Sequence, residues 1–506
     1  MSKKASVLIL TLIMTFATLN FAYWINQKSG FHCDEIYSFG LSNKDFHYNI
    51  YDENGNIRWN NNEDIDSYML VSENGRFDYK NVYENQISDV HPPLFYIILH
   101  TLMSFIPNEY SSFIVLLPNM LFSLGTCLFI YFIGMRLLKE RFAAVIMAFC
   151  FIFSVNAINM ATYIRMYAQL AFFTTAALYI HIKFYDNDFL LTKKSATALS
   201  AIIFLGAYTH YYFFIFISGV TLFTVFNIRN TKKILNYLLV IAITAIVYSL
   251  VWQAVFTHLL ASDRGTEAVK NMTESSVIKN IGIYFNVLNS GLGIILSVAF
   301  IISLIISFKK IKSRNLLLIG FTSVFYLTLI SKVAPYQTDR YIAPLFPMFS
   351  IMIIYFMFHT ANKINKSKYT DIIILGIVIS GLFQNLYTKI IKIEDIYYEE
   401  NYLYRISPPD LNTRQCIFIH SHEAQFLRNL PDYKNYESTA FVHINDIEML
   451  KETENEFTLY ISNSLDSEQV IKQIEEVLGT IYIEPIKYND NRSWSNIFIL
   501  NKRNSS

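Results

Sequence analysis

The residues able to do chemistry sit in short polar patches between long apolar runs. Asp34 and Glu35 are adjacent carboxylates a few residues beyond the first run. Asp89 and His91 stand just before Pro92-Pro93. Tyr163, Arg165, Tyr167 and Gln169 alternate along one segment, and His210 sits among tyrosines. Lys332, Tyr336, Gln337, Asp339, Arg340 and Tyr341 form the last patch. A carboxylate can take a proton from an incoming hydroxyl. Guanidinium groups stabilise negative charge developing on a departing phosphate, bidentately where geometry allows. Acids and guanidinium groups at a membrane face therefore suit a reaction on a phosphate-bearing lipid.

The elements that must position these groups are apolar. Of the 506 residues, 53% are hydrophobic and only 16% charged, where a soluble chain carries about a quarter charged residues. The apolar residues come in runs of about 18 or more, the length that crosses a bilayer. The expected fold class is mainly α: a polytopic transmembrane helical bundle with a small α/β C-terminal soluble domain. A net charge of +1 gives nucleic acid no electrostatic reason to bind. The first run, 6–24, follows Lys3 and Lys4 and lacks a small-residue cleavage site, so it reads as an uncleaved span.

Topology turns on the run 92–106, which opens with two prolines. As a helix it covers ~22 Å, short of the ~30 Å hydrocarbon core. Laid in the interface, it puts every short basic loop on one side. These loops hold Arg136, Lys139 and Arg141; Lys183, Lys193 and Lys194; Arg229, Lys232 and Lys233; Lys309, Lys310, Lys312 and Arg314; and Lys363, Lys366 and Lys368. That bias marks the cytoplasmic side. About eleven spans follow, at 6–24, 111–138, 142–155, 167–182, 196–208, 212–226, 235–256, 277–308, 316–330, 341–358 and 371–386. The N-terminus is then cytoplasmic, the membrane the plasma (inner) membrane, and the acid, histidine and arginine patches share its outer face. Residues 1–390 form the membrane domain, with 26–110 as its first outer loop. In 391–506, apolar segments at 416–419, 440–444, 457–461, 481–483 and 497–500 alternate with helix-like stretches such as 467–478, an extracytoplasmic α/β pattern.

Each patch also has an ordinary explanation. Asp34-Glu35 can cap a helix N-terminus. His91-Pro92-Pro93 can simply start a helix. Arg165 can reach headgroups from a span end, and Arg340 with Tyr341 can anchor at the interface. What favours chemistry is that all the patches fall on one side in one order.

In that order, the segments "DEIY", "HPPLFYIILH", "YIRMYAQ", "YTHYYF" and "TDRYIAPLFP" resemble the motif series of GT-C type membrane glycosyltransferases. The likeness is to those similar to protein O-mannosyltransferases and aminoarabinose transferases (family 39-like), over the membrane domain. The resemblance implies transfer of a sugar from a polyprenyl-phosphate donor to an envelope glycan, lipid or protein acceptor on the outer face, with inversion. It implies that Asp34 is the general base and Glu35 the neighbour that shapes the site. Arg165 and Arg340 match positions that hold the donor phosphate, and His91 a position near that phosphate or the acid. Lys332 joins them by its closeness to Arg340 in sequence. Tyr37, Tyr167, His210 and Tyr341 are expected to line the substrate pocket. The family is divided over metals; a divalent ion is compatible with Asp34, Glu35 and His91, but their open spacing does not require one. The chain has no glycine-rich nucleotide loop, which fits a donor that carries its energy in a lipid-phosphate linkage.

The rival functions are a polyprenyl-linked glycan flippase, an O-antigen polymerase or ligase, and a non-catalytic scaffold. A transporter places ionisable groups near the midplane, often within internal repeats. A polymerase or ligase carries its large loop late, whereas here the large loop comes first.

Overall fold

The computed structural model describes residues 1–28, 31–45, 47–307, 313–364, 369–392, 414–427, 430, 433, 436–452, 456–479, 481–485 and 495–502. They fall into two compact units. One comprises Met1–Lys28, Asp89–Ile98 and Ser111–Asn401; the other comprises Ser29–Ser88, Leu99–Tyr110 and Tyr402–Ser506.

The first unit is helical and makes the chain a multi-pass membrane protein. Among the described residues, seven helices are long and apolar enough to cross a bilayer: Lys3–Gln27, Ser112–Leu138, Thr231–Val251, Val277–Ser307, Arg314–Val333, Leu345–Ile364 and Thr370–Lys389. The pair Arg141–Ile152 and Val155–Thr162, bent by 55°, makes an eighth if it counts as one span. The eleven expected spans are therefore not reached by length and composition. A helix does occupy each expected position, but Lys193–Ala207 and Tyr212–Asn227 have only 15 and 16 residues. Tyr167–Asp186 has 20 residues but includes Gln169, His181 and Lys183. The run 92–106 yields the 10-residue helix Leu94–Met103, too short to span, as its length and prolines predict. Lys309, Lys310, Lys312, Lys366 and Lys368 lie outside the described residues.

Two breaks in this bundle have identifiable causes. The bent pair parts at Phe153-Ser154, where the Ser154 hydroxyl accepts the Ala157 amide at 3.2 Å and caps the second helix. The long helix Val277–Ser307 kinks at Gly293, whose φ of +76° disfavours any side chain. A Cβ there would also meet Asn385 at 2.9 Å.

The second unit is built on a six-stranded sheet. Its strands are β1 (Trp59–Asn60), β2 (Gln415–His420), β3 (Ser438–His443), β4 (Glu456–Ser462), β5 (Ile481–Pro485) and β6 (Ser495–Lys502), in the order β1-β3-β2-β4-β6-β5. Strand β2 runs parallel to both β3 and β4, while β6 is antiparallel to β4 and β5. Parallel strands are covered on both faces and so read as continuous apolar runs. Here Ile417, Ile419, Val442, Leu459 and Ile461 pack with Val470 and Ile474 of helix Ser467–Leu478. All five apolar segments expected as strands are strands, and the expected helix at 467–478 is present. The fold class is as the sequence predicts: mainly helical, with a small α/β portion near the C-terminus.

The sixth strand comes from the first loop. β1 pairs antiparallel with β3, setting Trp59 opposite Ala440. The rest of that loop forms helices Cys33–Asn43, Asn62–Met69 and Tyr79–Ser88. Asn43 donates to the Met69 carbonyl at 2.6 Å, and Asn85 donates to the carbonyls of Leu41 and Lys44, tying these helices together. Loop and tail thus fold as one body.

Candidate active site

The first unit gathers its polar groups around a stretch that is not helical. Residues 163–166 separate helix Val155–Thr162 from helix Tyr167–Asp186. The side chain of Asn119, buried in helix Ser112–Leu138, donates to the carbonyls of Tyr163 and Arg165 and holds the stretch open. A polar residue inside a spanning helix commonly has such a task.

Arg165 is only 5% exposed. One of its terminal nitrogens donates to the Tyr96 hydroxyl at 3.0 Å, and the other faces His91 Nε2 at 3.4 Å. His91 Nδ1 lies 2.7 Å from the Asp89 carboxylate. A guanidinium has no acceptor, so these partners assign the proton of His91 to Nδ1 and make Nε2 the acceptor. Burial alone would raise the Asp89 pKa, but the hydrogen bond from His91 and the Arg165 guanidinium beside it outweigh that effect and hold it below the ordinary carboxylate value.

Arg340, 6% exposed, belongs to the short turn Asp339–Ile342 and donates to the Tyr163 hydroxyl at 2.7 Å. Tyr163 stacks on Tyr167 at 6.2 Å between centroids, and Tyr167 meets His210 at 5.8 Å and Tyr341 at 6.3 Å. His210 also meets His91 at 5.6 Å. The Leu94 amide donates to the Tyr208 carbonyl at 3.1 Å, fastening the start of helix Leu94–Met103 beside the His210 turn. The result is two buried guanidinium groups among tyrosine hydroxyls, with the Asp89 carboxylate near Arg165 and the Asp339 carboxylate beside Arg340, where it accepts the Arg340 amide at 2.8 Å. Such a site favours an anion.

His210 Nδ1 accepts the Tyr212 amide at 3.0 Å, which leaves Nε2 as the donor. Burial, followed by the neighbouring His91 ring and the Arg165 guanidinium, pushes its pKa well below the ordinary imidazole value of 6.5. The folded state thus refuses a proton that the unfolded state accepts below that pH, and stability falls with acidification there. Asp89 contributes in a lower window, where its depressed carboxyl is finally protonated. The melting temperature of the purified protein is therefore expected to drop between pH 7 and pH 5, and His210→Asn to shrink that drop. An undiminished drop in the variant would assign the effect to another group.

In the second unit, Asp34 and Glu35 begin helix Cys33–Asn43 and do different work. Glu35 is fully buried; its carboxylate accepts the His32 amide at 2.8 Å while His32 Nδ1 accepts the Asp34 amide at 3.1 Å, a reciprocal cap. The capping explanation therefore applies to Glu35, and its carboxylate is committed to the helix start. The Asp34 carboxylate takes no part in the cap and is partly exposed, at 26%. Tyr37 follows one turn later and donates to Glu423.

The structure thus brings Arg165, Arg340, His91, Tyr167, His210 and Tyr341 together in one unit, and Asp34, Glu35 and Tyr37 on one helix of the other. Lys332 has a main-chain partner. Its ammonium donates to the Ser275 carbonyl at 2.8 Å, closing the end of helix Asp263–Glu274. Asp89 and Tyr163, both in the polar patches of the sequence, join this cluster, and Tyr96 and Asn119 complete it without having been picked out there. Tyr96 falls within "HPPLFY" and Asn119 within an apolar run, and those were the available signals.

Metal ligation finds limited support. His32, Cys33 and Asp34 bring ligand atoms within 4.8 Å of one another, the only such trio among the described residues. His32 Nδ1 is already engaged as the cap acceptor, so the trio does not fit a cation without loosening the helix start.

In fold, this chain resembles solved membrane glycosyltransferases. It is similar to ArnT from Cupriavidus metallidurans bound to undecaprenyl phosphate, at 10% identity and a TM-score of 0.55, over 100% of this chain and 99% of that one. The apo form of that protein gives a TM-score of 0.53 at 10% identity, over 97% of both chains. The apo oligosaccharyltransferase of Archaeoglobus fulgidus gives 0.51 at 11% identity, over 96% of this chain and 70% of that one. No family model and no curated protein matches the sequence, and the likeness is one of fold.

Proposed function

We propose that this protein is a membrane glycosyltransferase. It transfers a sugar from a polyprenyl-phosphate donor to a hydroxyl-bearing acceptor on the outer face of the plasma membrane, with inversion. The observation that carries this reading is the pair of buried guanidinium groups, Arg165 and Arg340, set among tyrosine hydroxyls. A lipid phosphate is an anion delivered at the membrane surface, and its charge grows as the sugar leaves. Preorganised donors aimed at that charge lower the barrier without reorganising at the moment of reaction.

In this mechanism Arg165 and Arg340 hold the phosphate, and Asp89 through His91 keeps the Arg165 guanidinium in place. Tyr167, His210 and Tyr341 bound the sugar. Asp34 takes the acceptor proton as the phosphate departs, and attack from the face opposite the phosphate inverts the anomeric carbon. The role of Glu35 is to hold the start of the Asp34 helix. The basic-loop bias supports an outward-facing site with the N-terminus in the cytoplasm.

The test is reconstitution of the purified protein with an undecaprenyl-phosphate sugar and a lipid extract, followed by mass spectrometry. Release of undecaprenyl phosphate with a mass gain of one sugar on an acceptor is expected. Movement of intact donor across the bilayer without cleavage would instead make the protein a flippase.

A further inference from the structure

We propose that Glu423, from the C-terminal sheet, is a positioning residue for the transfer: it pins the segment 37–48 and so fixes the helix that carries Asp34. This rests on the assignment of Asp34 as the base.

Glu423 opens the short helix Glu423–Leu427, three residues past the end of β2. One of its carboxylate oxygens accepts the Tyr48 amide at 2.6 Å. The other accepts the Tyr37 hydroxyl at 3.3 Å and lies 2.9 Å from His47 Nδ1. Three groups from one stretch of the first loop thus converge on a single side chain that is 18% exposed. The anchor is rigid at its far end. The Tyr48 ring packs edge-on against Tyr68, Phe426 and Phe441, and Phe426 stacks on Phe441 at 4.3 Å.

The near end lies one helical turn from the proposed base. Tyr37 and Asp34 are three residues apart on one helix and share a face. Burial, followed by the charge of Glu423 and, more weakly, that of Asp34, raises the Tyr37 pKa and keeps the phenol protonated. Its hydrogen is donated to Glu423. A phenol turned onto Asp34 would stabilise the Asp34 anion and make it a weaker base. Glu423 thus holds the helix and draws the phenol hydrogen away from Asp34.

The experiment compares Glu423→Ala, Glu423→Gln and wild type by steady-state kinetics and by hydrogen exchange over 37–48. Glu423→Ala is expected to lower kcat about 10- to 100-fold while the donor KM changes by no more than about 2-fold. Exchange across 37–48 should rise in the same variant. Glu423→Gln keeps an acceptor oxygen and should stay within about 3-fold of wild type. Wild-type kcat in Glu423→Ala, or a loss of kcat with unchanged exchange over 37–48, overturns the proposal. If the alanine variant does not fold, Glu423→Asp replaces it. Its shorter carboxylate cannot reach Tyr48 and Tyr37 together, so the same losses are expected and full activity overturns the idea. Asp34→Asn run in parallel separates the two assignments. Wild-type turnover there removes the base, while exchange over 37–48 still reports whether Glu423 holds the segment.

Discussion

Asp34→Asn is expected to cut turnover about a thousandfold, within the range of a lost general base, while leaving the protein folded and inserted. The amide is nearly isosteric with the carboxylate but cannot accept a proton at neutral pH. The cap of helix Cys33–Asn43 is made by His32 and Glu35, so the substitution leaves the helix start intact. Donor affinity should change little, because the phosphate is assigned to Arg165 and Arg340. The measurement is single-turnover release of polyprenyl phosphate, with melting temperature as the folding control. Turnover within a few-fold of wild type would end the assignment. Glu35→Ala offers the contrast: the lost cap should lower the melting temperature by more than it lowers turnover, since a cap contributes about 1 kcal/mol.

The second large effect is expected at Arg165. Arg165→Lys keeps a charge but loses the planar fork that reaches Tyr96 and His91 together. A fall in kcat/KM for the lipid donor of about 100-fold or more is expected, the size of a lost transition-state donor. Arg165→Ala should be worse in a second way. Asp89 is buried and depends on His91 and Arg165 for its charge, so removing the guanidinium leaves a carboxylate short of compensation. The alanine variant should therefore melt earlier than the lysine variant. Arg340→Ala should weaken donor use in the same way, and the double variant should fall short of the product of the two losses, because both groups serve one phosphate. A donor KM and kcat untouched by Arg165→Lys would remove the phosphate site from this place.

Much of this was legible in the sequence where a local pattern decides a local structure. The tail strands could be read because parallel strands need unbroken apolar runs, and 416–419, 440–444 and 457–461 are such runs. The short helix after Pro92-Pro93 followed from length. The gathering of Arg165, Arg340 and His210 followed from loops that the charge bias assigned to one side. What stayed hidden depends on contacts between distant segments. Nothing local marks 163–166 as a break, since Asn119, from another helix, holds its carbonyls. The split between Asp34 and Glu35 was hidden because histidine is an unusual cap residue, and the pair alone does not reveal which acid turns inward. Lys332 lies close to Arg340 in sequence, yet its partner is Ser275. The span count is not confirmed where helices are too short or too polar to qualify by length and composition, as with Lys193–Ala207 and Tyr167–Asp186. Strand β1 is two residues long, below what any periodicity can show.

That small strand has a consequence for how the chain is made. Asn60 donates to the Thr439 carbonyl, 379 residues further along. At roughly 5–20 residues per second, a ribosome needs roughly 20–80 s to supply the partner after the first loop has emerged. Throughout that interval the loop has no sheet to join, and Glu423, the anchor for Tyr37 and Tyr48, does not yet exist. The Asp34 helix is therefore completed last although it is synthesised almost first. A chain that stops before Glu423 lacks the anchor for Tyr37 and Tyr48, so a truncation ending before β2 is expected to show raised hydrogen exchange over that helix.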